Sequence, residues 1–373
     1  DPAGIFNPGV LINDDPKVHL KNIKPLPPAH EMIDACIECG FCELSCPSRD
    51  VTLTPRQRIV LYREMQRLSQ IKDGAKELAR FRKNYDYHGE ATCATDGLCE
   101  LGCPVGINTG KLVKELRFET HSAWADKVAW WMASHMGGVT AGGRHMLKTV
   151  RVVQKLLGNR LMSSLSSGLF RLSGRSLPLW NPFMPGGSPV LKVDEPAPEA
   201  DAAHTVVYFP TCINRTMGKS ADYEQDMAVV EKTERLLKKA GFRVIYPENL
   251  DSLCCGMAFD SKGFKAQGVA KARELDEALL KASENGRYPV YCDMSPCLLR
   301  MKETLSYELD LYDPVEFILK YFPGRLKFSQ VRKKVAIHVT CSSTKMELGS
   351  LLEELAHMCA REVVVPDEVG CCG

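Results

Sequence analysis

The sequence predicts a multidomain protein in which an α-helical region rich in cysteine precedes an α/β region built from parallel βαβ units. Two groups of cysteines, one before residue 50 and one after residue 90, flank a stretch with the apolar periodicity of a helix. Beyond residue 204, short apolar segments alternate with longer amphipathic ones, which is the order of strands and helices in βαβ units. A proline-rich linker at 194–199 separates the two regions.

These shifts in composition divide the chain into five segments. Residues 1–30 are an irregular lead-in, residues 31–120 carry both cysteine groups, and residues 121–203 form a basic helical region that ends in the linker. Residues 204–330 and 331–373 form two copies of an α/β module, and the second copy stops before its last strand.

Local signals predict the elements within these segments. Between the cysteine groups we expect one helix, 55–85, because proline suits the first turn and apolar residues follow at helical spacing. In the modules we expect strands at 205–209, 242–246, 288–292, 335–340 and 362–365. Helices are expected between them at 223–239, 264–282 and 346–360.

The composition excludes several classes of protein. The chain has 373 residues, 16 cysteines and a net charge of +2, which is too near balance to indicate nucleic-acid binding. Residues 1–8 are polar and broken by proline and glycine, so we do not expect them to be a signal peptide, and no apolar run reaches the roughly 18 residues that a spanning helix needs. Clustered cysteines without a secretory signal favour metal ligation in a reducing compartment, so we expect a cytoplasmic location. Both ends look cut, and we expect the protein in the cell to be longer.

The first cysteine group has the spacing C-x2-C-x2-C-x3-C followed by proline: Cys36, Cys39, Cys42 and Cys46. Three thiolates on a short loop reach three irons of one cubane, and the fourth ligates the other cluster in two-cluster ferredoxins. A tetrahedral zinc site is the alternative, although zinc prefers two separated pairs of ligands. The spacing therefore predicts iron–sulfur clusters.

The second group has Asp96 where the second cysteine is expected. Exchange of the fourth ligand between the groups predicts a first cluster, a [4Fe–4S], on Cys36, Cys39, Cys42 and Cys103. It predicts a second cluster on Cys46, Cys93 and Cys99, with Asp96 as a candidate ligand. A carboxylate is a harder ligand that holds iron more weakly, so the second cluster is either a [4Fe–4S] with Asp96 on a labile iron or a [3Fe–4S] that has lost it. The alternative is that Asp96 is only a turn residue before Gly97.

About fifty residues separate the two groups. This spacing, with a helix between, resembles the α-helical ferredoxin arrangement of respiratory iron–sulfur subunits. The resemblance implies an α-helical two-cluster ferredoxin domain over 31–120.

The α/β region contains an internal repeat. The strand before Cys212 resembles the strand before Cys341, and Cys254-Cys255-Gly256 matches Cys371-Cys372-Gly373. Because ligands gather at the carboxyl ends of parallel strands, we expect the two modules to face a shared site.

The first copy resembles the cysteine-rich domain of heterodisulfide reductase and glycolate oxidase relatives, and the resemblance implies tandem Cys-Cys-Gly modules with Rossmann-like βαβ units. In that family the pattern ends in C-x-x-C, whereas this chain has Met294 at the first of those positions. A cluster or another metal is expected on Cys212, Cys254, Cys255 and Cys297, with Cys292 as a substitute ligand. The second module offers Cys341, Cys371 and Cys372. Buried or redox-active thiols without metal are the alternative.

Residues 127–193 contain no Asp or Glu but nine Lys or Arg residues, interleaved with leucine, methionine and tryptophan. A basic amphipathic stretch of this kind suits an anionic membrane surface, on the inner face of the membrane and near a quinone. Docking on an acidic partner domain is a second possibility. A helical hairpin that packs on the rest of the chain with a solvated basic face is a third.

Residues 1–9 resemble the end of FAD-linked oxidase domains of the vanillyl-alcohol oxidase type. With the order of motifs that follows, the chain resembles the C-terminal part of the single-chain, iron–sulfur-containing D-lactate dehydrogenases. The resemblance implies FAD in a preceding flavin domain, oxidation of D-lactate or a related 2-hydroxy acid, and relay of electrons to a quinone or cytochrome. It identifies no catalytic acid or base in this chain.

Two other functions stay open at the level of sequence. One is a separate iron–sulfur subunit of a glycolate oxidase or glycerol-3-phosphate dehydrogenase type of complex. The other, from a different class, is a zinc-binding interaction module without redox activity.

Overall fold

The computed structural model describes residues 9, 13–21, 26–174, 177, 179–191, 204–220 and 227–366. The chain forms two compact units, Asp1–Val113 and Lys114–Gly373. The helices that begin in the first unit are α1 (Pro55–Ser69), α2 (Ala75–Tyr85), α3 (Leu98–Leu101) and α4 (Thr109–Thr120).

The predicted single helix over 55–85 is wrong, because the chain breaks between α1 and α2. The side chains and backbones of Thr54 and Gln57 form a reciprocal capping box at the start of α1. At the break, a Cβ on Gly74 would lie 2.3 Å from the carbonyl oxygen of Leu68, so the chain folds back too closely for any residue but glycine. This tight return ends α1 and sets a new direction for α2.

The second unit contains helices and strands. The elements before the first α/β module are α5 (Ala123–Ser134) and α6 (Met136–Leu172), and α6 is broken at Gly158. The first module contains β1 (Thr205–Phe209), α7 (Cys212–Thr216), α8 (Val229–Lys239), β2 (Arg243–Ile245), α9 (Met257–Asp260), α10 (Lys265–Ala282), β3 (Val290–Cys292), α11 (Ser295–Thr304), β4 (Leu311–Tyr312) and α12 (Pro314–Tyr321). The second contains β5 (Arg332–Ala336), α13 (Cys341–Lys345), α14 (Gly349–Cys359) and β6 (Ala360–Val364).

A four-stranded parallel sheet with the order β2-β1-β3-β4 forms the centre of this unit, and β5 pairs with β6 in a separate parallel ribbon. All residues of β1 are buried, as expected of a central strand covered on both faces. Val207 packs with Leu275 of α10 on one face, whereas Tyr208 packs with Phe317 of α12 on the other. The structure thus confirms a helical region followed by an α/β region with a parallel sheet.

The order of the strands also fixes where a site can form. The chain leaves β1 toward β2 on one side and returns to β3 on the other side of β1. The carboxyl ends of β1 and β3 therefore flank a topological switch point, where open α/β sheets bind ligands. Cys212 closely follows the end of β1, and Cys292 ends β3.

Candidate iron–sulfur and thiol sites

The first unit contains a cavity, here called the first thiol cavity, that cysteines of both groups surround. Its cysteines are Cys36, Cys39, Cys42 and Cys103. Gly40 adopts a left-handed conformation (φ 88°) that turns the ligand loop. The backbone N–H of Glu38 donates to the sulfur of Cys36 over 3.4 Å. The grouping is the one that ligand exchange predicts, and iron binding by these residues stays a prediction.

A buried arginine holds the loop of the first thiol cavity. Arg63 on α1 pairs with Glu38 over 3.1 Å, and both side chains are almost fully buried. Its other terminal nitrogen donates to the carbonyl oxygens of Asp34 (3.2 Å) and Cys36 (3.0 Å). The first ligand loop is therefore fixed to α1 by charge-assisted hydrogen bonds.

Burial affects the thiols themselves. It raises the pKa of Cys42 to about 11, and neighbouring thiols add to the effect. Burial also raises the pKa of Cys99. Thiolates are the form that binds iron, so assembly of a cluster here must release protons.

A second thiol cavity in the same unit contains the remaining cysteines of the two groups together with Asp96. The four residues are Cys46, Cys93, Asp96 and Cys99. Gly97 is left-handed (φ 77°) and immediately precedes α3, which carries the buried Cys99. The second cavity therefore combines one cysteine of the first group with residues of the second.

The two carboxylate oxygens of Asp96 have different surroundings. Oδ1 accepts a hydrogen bond from the N–H of Leu98 over 3.0 Å, which is the turn role expected of an aspartate before a helix. Oδ2 is buried and has no hydrogen-bond partner among the described residues. A buried, unpaired carboxylate oxygen is costly, and a bound cation removes that cost. The turn role thus accounts for Oδ1 but not for Oδ2. Three cysteines and one carboxylate oxygen fit a cluster that has one oxygen ligand.

Arg58 on α1 also lines the second thiol cavity. It is 1% exposed, and its Nη1 lies 3.7 Å from the sulfur of Cys46. The other nitrogens donate to the carbonyl oxygen of Gly89 (2.6 Å) and the hydroxyl of Ser48 (2.9 Å). A cation in this position favours negative charge on the sulfur.

The cysteines of the first unit line the walls of two cavities and do not converge on a single point. Among the residues that the structure describes, no three His, Cys, Asp or Glu side chains converge closely enough for one metal ion. Zinc holds its thiolates about 2.3 Å away in a tight tetrahedron. Thiols around a cavity suit a multi-iron cluster better.

In the second unit, five cysteines gather at the switch point of the sheet: Cys212, Cys254, Cys255, Cys292 and Cys297. The sulfurs of Cys212 and Cys254 are 3.8 Å apart, and Cys255 and Cys297 share a hydrogen bond. Cys292 is fully buried, and its thiol donates to the carbonyl oxygen of Met294 over 3.7 Å. The hydrogen bond with Cys254 and burial raise the pKa of Cys212.

Gly256 of the Cys-Cys-Gly motif is required by the backbone. It is left-handed (φ 80°), and a Cβ there would lie 2.2 Å from the carbonyl oxygen of Gly268 in α10. No other residue fits this approach between α9 and α10. The glycine thereby positions the two cysteines that precede it.

Two buried charges border the five cysteines. Arg215 on α7 donates to the carbonyl oxygens of Pro210 (3.0 Å) and Leu253 (2.5 Å), and burial lowers its pKa. Asp293 accepts hydrogen bonds from the Tyr208 hydroxyl (2.8 Å) and the Thr211 N–H (2.9 Å), and burial raises its pKa. Backbone and hydroxyl groups hold both charges, and Arg215 also pairs with Asp251 over 3.8 Å.

The second module contributes Cys341, the first residue of α13, which packs beside α11. Ser343 of α13 donates to the hydroxyl of Ser295 in α11 over 3.2 Å. The two modules are therefore in contact here, and a site shared between them stays a prediction. Cys371 and Cys372 lie outside the described residues, as do residues 1–8.

Arg58, Arg63 and Arg215 are not predictable from the cysteine motifs, because none of them belongs to one. For Arg58 a signal exists, since it precedes Ile59 and lies one turn before Tyr62 on the apolar face of α1. A charged residue on an apolar helix face requires a buried partner.

Comparison with known proteins agrees with this geometry. Residues 32–107 match the family of 4Fe-4S dicluster domains, and residues 206–302 match the cysteine-rich domain family.

This chain is an iron–sulfur protein.

The match to the dicluster domain covers both thiol cavities, and the match to the cysteine-rich domain covers the five gathered cysteines. The chain is 26% identical over 269 residues to one of the subunits of the dihydromethanophenazine:CoB–CoM heterodisulfide reductase of Methanosarcina barkeri. That alignment covers 67% of this chain and 52% of the relative, so the chain spans about half of the relative's length. No solved structure gives a significant match. None of the described helices has the length and apolar character needed to cross a bilayer.

Proposed function

We propose that this chain is the electron-transfer part of a flavin-dependent dehydrogenase that oxidises D-lactate or a related 2-hydroxy acid. Electrons would enter from FAD in a flavin domain and leave to a quinone or cytochrome. The electron-transfer role rests on one observation, which is that each thiol cavity takes a cysteine from both groups. The choice of substrate and flavin rests on the sequence resemblance to iron–sulfur D-lactate dehydrogenases.

The residues of the two cavities suit this role. A bound iron–sulfur cluster accepts and releases one electron at a time. The cysteines would hold it, while the Glu38 N–H donates to one sulfur and Arg58 lies beside another. Donors and cations at ligand sulfurs favour the reduced state.

In the second cavity we propose that Asp96 ligates a labile iron, which its unpaired Oδ2 supports. Mild oxidation of the anaerobic protein should produce the EPR signal of a three-iron cluster in about half of the two ferredoxin-type clusters, since only the oxygen-ligated iron is easily lost. Asp96→Cys supplies a thiolate and should remove that signal. Asp73→Cys, at an exposed position of the same unit, is the matched control and should behave as wild type. An unchanged three-iron signal in Asp96→Cys would mean that Asp96 is only a turn residue.

At the switch point we propose a further cluster or metal on Cys212, Cys254, Cys255 and Cys297, with Cys292 as the substitute ligand. Cys254→Ser should lower the iron content of anaerobically prepared protein and leave the EPR signals of the two ferredoxin-type clusters unchanged. Equal iron content in wild type and variant would favour buried or redox-active thiols without metal. Zinc instead of iron by elemental analysis of the protein would support the alternative of a zinc-binding interaction module without redox activity.

The substrate is tested with the longer protein that includes the flavin domain. Under anaerobic conditions, D-lactate should bleach the visible absorbance of the clusters, and L-lactate should do so far more slowly. The chain alone should show no bleaching with either. Intact clusters that D-lactate and other 2-hydroxy acids fail to reduce in the longer protein would remove the proposed substrate class without affecting electron transfer.

Similarity to a component of the heterodisulfide reductase favours a second candidate, a separate iron–sulfur subunit of a multi-subunit redox complex. Glycolate oxidase and glycerol-3-phosphate dehydrogenase complexes are the types that the sequence resembles. Purification of the native protein decides between the candidates. A single polypeptide that carries both flavin and iron supports the first, and a flavin on a separate polypeptide supports the second.

A further inference from the structure

Helix α6 exposes more large apolar side chains than any packing role within the described residues requires. After its break at Gly158 (φ 73°, ψ 166°), the helix continues to Leu172. Four leucines of this second half are 48%, 48%, 55% and 87% exposed: Leu161, Leu165, Leu169 and Leu172. Their spacing of four, four and three residues aligns them on one face. We call these four residues the leucine stripe.

The segment that follows α6 extends the apolar surface. Leu177, Leu179 and Phe183 are also about half exposed or more. The backbone N–H of Trp180 donates to the Ser166 hydroxyl over 2.7 Å, which ties this segment to α6. Together the stripe and the returning segment form an apolar surface that is much larger than single exposed leucines on an ordinary protein surface.

The segment that carries this surface has charged side chains of one sign only. Residues 127–193 contain no Asp or Glu. Arg160 and Arg171 are exposed on the same half of α6 as the stripe. Lys148, Arg151 and Lys155 lie on the first half and, with Lys219, line a basic pocket. A partner that covers the stripe must therefore tolerate or attract a dense set of cations.

We propose that the second half of α6 docks on an anionic lipid bilayer. The leucine stripe would enter the boundary between headgroups and acyl chains, while the flanking arginines and lysines contact lipid phosphates. An acid-free amphipathic helix, too short in apolar length to span, is the usual structure for this kind of binding. A folded protein partner would need an acidic rim around an apolar groove, whereas a bilayer supplies both features everywhere on its surface.

The test uses the full chain with its clusters assembled and sedimentation with lipid vesicles. Binding to vesicles of phosphatidylcholine and phosphatidylglycerol is expected, with more than about 30-fold weaker binding to phosphatidylcholine alone. Leu165→Glu/Leu169→Glu should weaken binding at least about 30-fold, because apolar area is lost and charge enters the interface. Arg160→Gln/Arg171→Gln should weaken binding to the anionic vesicles about 30-fold and leave binding to neutral vesicles unchanged.

Val269→Glu is the matched control, because Val269 is a 45% exposed apolar residue on another helix of the same unit. It should bind as wild type does, and all variants should keep the visible spectrum and far-UV circular dichroism of wild type. Equal affinity for neutral and anionic vesicles, or no binding to either, would overturn the proposal. Self-association that the leucine variant abolishes, in the absence of vesicle binding, would overturn it in favour of a second copy of the chain.

Discussion

Replacement of Arg58 tests whether a buried cation sets the reduction potential of the cluster proposed for the second thiol cavity. Arg58 lies 3.7 Å from the sulfur of Cys46 and is fixed by hydrogen bonds to Gly89 and Ser48. Reduction adds one negative charge to a cluster, so a neighbouring guanidinium stabilises the reduced state and raises the potential. Arg58→Gln removes the charge and should lower the potential.

The distance gives the size of the effect. Two unit charges 3.7 Å apart attract by about 4.5 kcal/mol at an effective dielectric constant of about 20. The added electron is spread over the irons and sulfurs, so we expect roughly a third to a half of that energy to be lost. This corresponds to a shift of about −60 to −100 mV for a one-electron couple. Arg58→Lys keeps the charge and should shift the potential by less than half as much.

An anaerobic redox titration followed by EPR measures the shift. Because Arg58 is buried, iron content and thermal unfolding must be measured in parallel. Arg67→Gln is the control on the same helix, since Arg67 is half exposed and pairs with Glu64 at the surface. A potential within about 20 mV of wild type in a fully loaded Arg58→Gln protein would refute the electrostatic argument, because even the lower limit of the expected shift is larger.

Two further predictions concern stability. Gly256→Ala should lower the free energy of unfolding by about 3 kcal/mol or more, because the new Cβ would lie 2.2 Å from the Gly268 carbonyl oxygen. Gly324 has a similar φ of 78° but no atom within 4 Å of such a Cβ, so Gly324→Ala should lower the free energy of unfolding by only about 1 kcal/mol. Equal losses of unfolding free energy in urea would contradict this reasoning. Burial raises the pKa of Cys42 from 9.0 to about 11, so its thiol stays protonated in the folded, cluster-free protein while the unfolded chain ionises. The melting temperature of cluster-free protein should therefore fall between pH 9 and pH 11, and Cys42→Ser should flatten that fall.

The cysteines were the most predictable part of the molecule. Their spacing restricts which thiolates reach one cluster, and a short loop allows few arrangements. The structure accordingly brings Cys103 to the first cavity and Cys46 to the second, as ligand exchange predicts. Strands β1, β2 and β3 of the first module were also predictable, because a strand such as β1, covered on both faces, is a continuous apolar run.

What the sequence did not predict depends on contacts that a pattern of apolar residues does not show. The break after α1 follows from a close approach of Gly74 to the Leu68 carbonyl, which the helical pattern alone hides. Strand β4 has only two residues and no apolar run of its own. It forms because β3 offers an edge, through pairs such as Val290 with Leu311.

The buried arginines were also not predicted from the sequence, and one physical reason explains why both lie beside cysteines. Thiolate-ligated clusters are anionic, and burial of an anion is costly unless a cation or donors offset it. Arg58 lies beside Cys46 in the first unit, and Arg215 lies in the helix that Cys212 begins in the second. Arg58 is held by neutral oxygens, so much of its charge is left to act on the sulfur of Cys46. Arg215 donates to two carbonyl oxygens and also lies 3.8 Å from a carboxylate oxygen of Asp251, so its charge is partly offset. Burial without such a cation would lower the reduction potential of a cluster. We therefore expect both arginines, as well as the cysteines, to influence any cluster that binds beside them.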